Sequence, residues 1–167
     1  MIAPDSSRSD NTIPSDPFAA ALCVTLDNQI ARMHAALEDL PQEAYDAEQP
    51  NDCNSIRAIG AHLITLCRFQ LILLESELAE SIPDDHAAAT PAQLRELLGA
   101  SMQQVRRAIA DHDPADWLRV PAAPREGNWG DEPTAMRFVR PFNDLVNHLG
   151  AIRALRRVMG VPNERTQ

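Results

Sequence analysis

Pro141-Phe142-Asn143-Asp144-Leu145-Val146-Asn147-His148-Leu149-Gly150-Ala151-Ile152-Arg153-Ala154-Leu155-Arg156-Arg157-Val158-Met159-Gly160 is the stretch on which the fold turns. Phe142, Leu145, Leu149, Ile152, Leu155 and Met159 recur at steps of three and four, which makes one apolar stripe along a helix. Gly160, with Pro162 beyond it, closes that helix. Arg153, Arg156 and Arg157 complement the negative end of the helix dipole. Proline disrupts a helix interior, so the helix either begins at Pro141 or starts near Thr134 and is kinked there. Asp144 and His148 lie four apart, so their side chains leave one face a turn apart.

Three further helical segments precede it. The first is expected over about 17–40, with Asp16 as N-cap, Pro17 at the first position, and Leu22, Leu26, Ile30, Met33 and Leu37 as its stripe. Pro41 stops it, and residues 41–52 read as a polar connection. The second is expected over about 55–80, with Ile56, Ile59, Leu63 and Leu66 facing the core. His62 lies three past Ile59 and four before Leu66, so the stripe carries it inward. The third, about 91–112, opens on Thr90-Pro91-Ala92-Gln93, a capping box with proline at the first position. Residues 111–133 form a long connection carrying Trp117 and Trp129, which either covers a site or is pinned by a small cluster of its own. No alternation of strand type appears, and the class is all-α, a four-helix bundle. Residues 16–162 read as one domain, between a disordered tail at 1–15 and a short C-terminal tail at 163–167.

Composition narrows the function. A net charge of −9 repels phosphate, which argues against a nucleic-acid or anionic-membrane partner. No apolar run reaches the roughly 20 residues that cross a bilayer, and the N-terminus lacks the pattern of a signal peptide. Cys23, Cys53 and Cys67 show no metal-type spacing, and a reducing cytoplasm fits them best. None of the five histidines follows a Glu by three, which removes a ferritin-like di-iron centre. There is no His-Glu-x-x-His, no phosphate-binding glycine loop and no Gly-x-Ser-x-Gly elbow. His34 is a weak candidate for a general base and reads as exposed, His112 reads as solvent-facing at a helix end, and His86 falls in a linker.

What remains is the set His62, Asp144 and His148. Two imidazoles and a carboxylate meeting in a bundle make a three-ligand site for a divalent metal with positions left open. An ionised Asp144 buried without a partner would cost several kcal/mol, so it needs a metal, a protonated histidine or water beside it.

Asn54-Ser-Ile-Arg-Ala-Ile-Gly-Ala-His62-Leu63 resembles the start of the second helix of the DinB-like superfamily. Asp144-Leu-Val-Asn-His148-Leu-Gly-Ala-Ile152, followed by Leu155-Arg-Arg-Val-Met-Gly160, resembles that family's last helix. The resemblance implies a bundle of up-down-down-up order, commonly dimeric. It also implies a divalent metal (nickel, zinc or iron) held by a histidine of helix two, here His62, and two residues of helix four, here Asp144 and His148. Asp144 stands where the family usually has histidine, and Asn147 and Ala151 replace two other residues often seen beside the site. Two functions follow from the resemblance. One is a metal-dependent transferase or hydrolase acting on a small molecule, with a low-molecular-weight thiol as cosubstrate. The other is a non-catalytic dimeric binding or stress protein with a degenerate metal site.

Overall fold

The computed structural model describes residues 13–48, 54–82, 89–121 and 131–161. The expected tails, apart from 13–15, and Cys53, His86 and Trp129 lie outside those residues. Every regular element among the described residues is helical: α1 (Pro17–Leu37), α2 (Gln42–Asp46), α3 (Ile56–Leu73), α4 (Pro91–Asp111) and α5 (Thr134–Val158), with single 3-10 turns at Glu77–Ser81 and Pro114–Leu118. The fold is all-α.

The helix starts follow local chemistry. Asp16 accepts from the Ala19 amide at 2.8 Å and Pro17 opens α1. The Ser55 hydroxyl accepts from the Ala58 amide at the start of α3. At α4 the Thr90 hydroxyl accepts from the Gln93 amide while the Gln93 side chain accepts from the Thr90 amide. Each cap satisfies donors that a helix start leaves unpaired.

The ends are less local. α3 stops at Leu73 rather than running to about residue 80, because Glu75 turns into the left-handed region at φ 53°. The Ser76 amide then reaches the Leu71 carbonyl and the Glu75 amide reaches that of Ile72, which closes the helix in a Schellman arrangement. Gly160 does the same for α5 at φ 70°, with Val161 donating to Arg156 and Gly160 to Arg157. α5 starts at Thr134 and continues through Pro141. Arg156, in the last turn of α5, also reaches another helix. It is 2 % exposed, and its Nη1 donates to the carbonyls of Ala36 and Glu38 at 2.6 Å, sealing the end of α1. The chain leaves the helix at Glu38, which is extended, and Asp39 takes the left-handed region at φ 48°, so α1 ends at Leu37 and not near Leu40.

α1 packs on α4 and α5, and α3 packs on α4 and α5. Leu26, Leu63, Cys67, Leu94, Leu98, Met102, Phe138 and Leu145 are fully buried in the shared core. Arg57 at the start of α3 donates to the Ala89 carbonyl just ahead of α4, and Gly60 sits against Leu94, so these two helices begin at the same end. Residues 42–46, read from sequence as loop, form α2 because Tyr45 is fully buried with the Arg57 guanidinium over its ring at 5.2 Å. Trp117 pins the connection after α4. Its ring packs between Phe18 and Phe138, with centroids 5.0 and 5.6 Å away. α3 is long and apolar enough to cross a membrane by composition, with mean hydropathy 1.4, yet half of it is buried inside the protein.

Two substitutions test this packing. A Cβ at Gly60 would meet Leu94 Cδ2 at 2.3 Å, and Leu94 is sealed in the core. Gly60→Ala should therefore lose about 1–3 kcal/mol in urea unfolding despite its better helix propensity. Glu75→Gly should gain about 1 kcal/mol by relieving the left-handed turn, since the exposed Glu75–Arg119 pair it removes contributes little.

Candidate metal centre

The three candidate ligands lie in the seam between α3 and α5. One ligand atom each from His62, Asp144 and His148 falls within a group no more than 4.8 Å across. Asp144 stands between the imidazoles: its Oδ2 is 3.5 Å from His62 Nε2 and its Oδ1 is 3.5 Å from His148 Nε2. The two rings meet edge to face with centroids 4.8 Å apart. This is the only such group of three metal-ligating side chains among the described residues.

Local sequence explains the convergence. Each candidate directly precedes a sealed leucine: His62 before Leu63, Asp144 before Leu145, His148 before Leu149. Successive helical residues are turned by about 100°, so a residue next to a core leucine stands on the flank of the helix. The flank of α3 faces the flank of α5, and the i, i+4 spacing stacks Asp144 and His148 to meet His62.

The same geometry corrects the expectation of an interior site. The side chain of His62 is 46 % exposed, that of Asp144 49 % and that of His148 30 %. The apolar face of α3 is centred on Ile56, Gly60, Leu63 and Cys67, so the line through Ile59, His62 and Leu66 is its margin. Asp144 is wet, and the cost of burying its charge gives no reason for it to need a partner.

The donor set fits a divalent ion. Neighbouring donors about 2.1 Å from one centre stand roughly 3.0–3.4 Å apart. The two 3.5 Å separations, made through different Asp144 oxygens, lie near that range, while the 4.8 Å span of the group has to close by about 1.4 Å. Both imidazoles present Nε2, and the carboxylate turns one oxygen toward each.

Residues 25–150 match the model of the DinB superfamily. The chain belongs to the DinB superfamily. A comparison with curated proteins finds no match.

The remaining candidates sit elsewhere in this DinB chain. His34 is half-buried in the α1–α4 seam, so close that a Cβ at Gly99 would stand 3.0 Å from its Nε2. It is neither exposed nor in the seam that holds the triad. His112 is only partly in solvent: it caps α4 and packs on Trp117, ring centroids 4.4 Å apart. Cys23 and Cys67 are buried and free. Burial pushes the Cys67 thiol up to about 12 and also raises that of Cys23, so both behave as small apolar side chains. None of the triad lines the open hollow of about 370 Å³ formed by Leu74, Glu77, Arg107 and Asp111 at the far ends of α3 and α4.

His112 gives the fold a pH dependence of definite sign. Burial lowers its pKa, outweighing the opposing pull of Asp116. The unfolded chain binds this proton with an ordinary pKa of about 6.5. The contribution to stability is thus complete above about 6.5 and is lost as pH falls through that value toward the lowered one. Urea titrations at pH 7 and pH 5 should show a smaller loss for His112→Phe than for the wild-type chain.

Proposed function

We propose that this DinB-superfamily chain is a four-helix bundle of up-down-down-up order that holds a divalent metal on His62, Asp144 and His148. In this reading it is a metal-dependent transferase or hydrolase acting on a small molecule, with a low-molecular-weight thiol as cosubstrate. The observation that carries the reading is the meeting of two imidazoles and a carboxylate across one helix seam.

The order of the long helices is supported by contacts at their ends. The common start of α3 and α4 favours parallel running. Cys23 and Asp27 lie against Arg106 while His34 lies against Gly99, which favours antiparallel α1 and α4. Phe18 and Phe138 share Trp117 at one end of α1 and α5, and Arg156 joins them at the other, which favours a parallel pair.

The chain's residues divide the work in a simple way. His62 Nε2, His148 Nε2 and the Asp144 oxygens are the donors, and they leave one side of the group open to solvent for a substrate. A divalent ion held there supplies Lewis acidity, acidifying a thiol or water brought beside it. The described cysteines, Cys23 and Cys67, are sealed in the core and offer no nucleophile, and in this reading the sulfur is that of the thiol cosubstrate. Arg156 is committed to α1 and takes no part in holding an anion. A cytoplasmic homodimer without nucleic-acid or membrane contacts completes the reading, in keeping with the charge of −9.

The openness of the triad favours a second reading, a dimeric binding or stress protein that retains the site without turnover. Water exclusion strengthens catalytic electrostatics, and these side chains are 30–49 % exposed.

Metal analysis by mass spectrometry on tag-free protein tests the centre. Wild type should carry close to one divalent ion per chain. His148→Ala and Asp144→Ala should each lose at least 10-fold in affinity while keeping the wild-type helical circular dichroism. Wild type without metal after equilibration with nickel, zinc and iron(II) would refute the centre.

A further inference from the structure

The geometry points to a metal preference set by Asp144: we propose that this carboxylate biases the centre toward oxygen-favouring six-coordinate ions, manganese(II) or iron(II), and away from nickel(II). The inference rests on the metal reading above and adds which ions the site discriminates. An imidazole offers one neutral nitrogen. Asp144 instead offers two oxygens, and both are turned into the group, one 3.5 Å from His62 Nε2 and the other 3.5 Å from His148 Nε2. A carboxylate so placed has a one-oxygen and a two-oxygen mode available without a change of rotamer.

Hardness acts in the same direction. Affinity for any donor set of this kind rises from manganese to nickel, but carboxylate oxygen suits the early ions and imidazole nitrogen suits the later ones. Two histidines with one carboxylate and open positions is the set associated with non-haem iron(II). The bias is therefore a ratio: nickel still binds, and its advantage over manganese is smaller than an all-imidazole site would give. Solvent access helps, because the half-exposed side chains leave room for the waters that complete a six-coordinate shell.

Competition dialysis of the full chain against equal manganese(II) and nickel(II), read by mass spectrometry, gives this ratio without any assay of turnover. The comparison is with Asp144→His, which makes the set all-imidazole, and Asp144→Asn, which keeps the shape and removes the charge and one oxygen donor. Because the Asp144 side chain is half in solvent, neither substitution opens a cavity, and circular dichroism checks the fold. The manganese-to-nickel affinity ratio should fall at least 10-fold in Asp144→His, and manganese affinity should fall more than nickel affinity in Asp144→Asn. A smaller change in the ratio, with wild type still loaded, overturns the preference and leaves the metal centre standing. Wild type that retains neither ion overturns the preference, and wild type that also takes up neither zinc nor iron(II) overturns the centre as well. If Asp144→His fails to fold, Asp144→Asn decides alone, and equal losses of the two ions overturn the preference.

Discussion

Leu63 on α3 and Leu145 and Leu149 on α5 are sealed from water, and their burial fixes how each helix is rotated about its own axis. Everything at the candidate centre depends on that rotation. Removing a leucine side chain from water is worth about 1.5–3 kcal/mol, so turning either helix to bring its polar flank inward would cost several such contributions at once. With the leucines inside, the preceding residues have nowhere to stand but the seam. His62, Asp144 and His148 meet there as a by-product of core packing. Among the described residues the polar contacts of the group are those within it, as suits a site on the surface of a seam.

The contrast between helix starts and helix ends reflects the range of the forces involved. Asp16-Pro17 and the Thr90–Gln93 box act within one turn, so sequence shows them directly. Gly160 is equally plain, because glycine takes positive φ at little cost. Glu75 adopts the same backbone region without the residue that would announce it, and the end of α3 went unread for that reason. At the end of α1 Asp39 likewise takes positive φ without being glycine, and Arg156 seals the carbonyls from another helix, a contact that spacing along one helix cannot report. α2 forms around Tyr45 and Arg57 for a similar reason.

At the centre, the identity and pairing of the three residues were legible and their exposure was not. The i, i+4 step put Asp144 and His148 on one face, and the spacing of the stripe put His62 inward, whereas its side chain is 46 % exposed. Periodicity alone does not separate the middle of a stripe from its margin. Gly60 was the missing clue: it has no side chain to count as apolar, yet it lies at the middle of the buried face, where Leu94 closes over it. Counting Gly60 with Ile56, Leu63 and Cys67 moves the centre of the face away from His62. Sequence leaves His112 in solvent because its aromatic neighbour, Trp117, reaches it through the 3-10 turn Pro114–Leu118, which composition does not reveal.

The Arg156 seal ties the last helix of the described chain to carbonyls 118–121 residues earlier. During synthesis α1 is made before α5, and its closing carbonyls wait for a donor that follows 118–121 residues later. Closure of the first helix therefore trails its own synthesis, and a nascent chain halted anywhere before residue 156 carries an open end there.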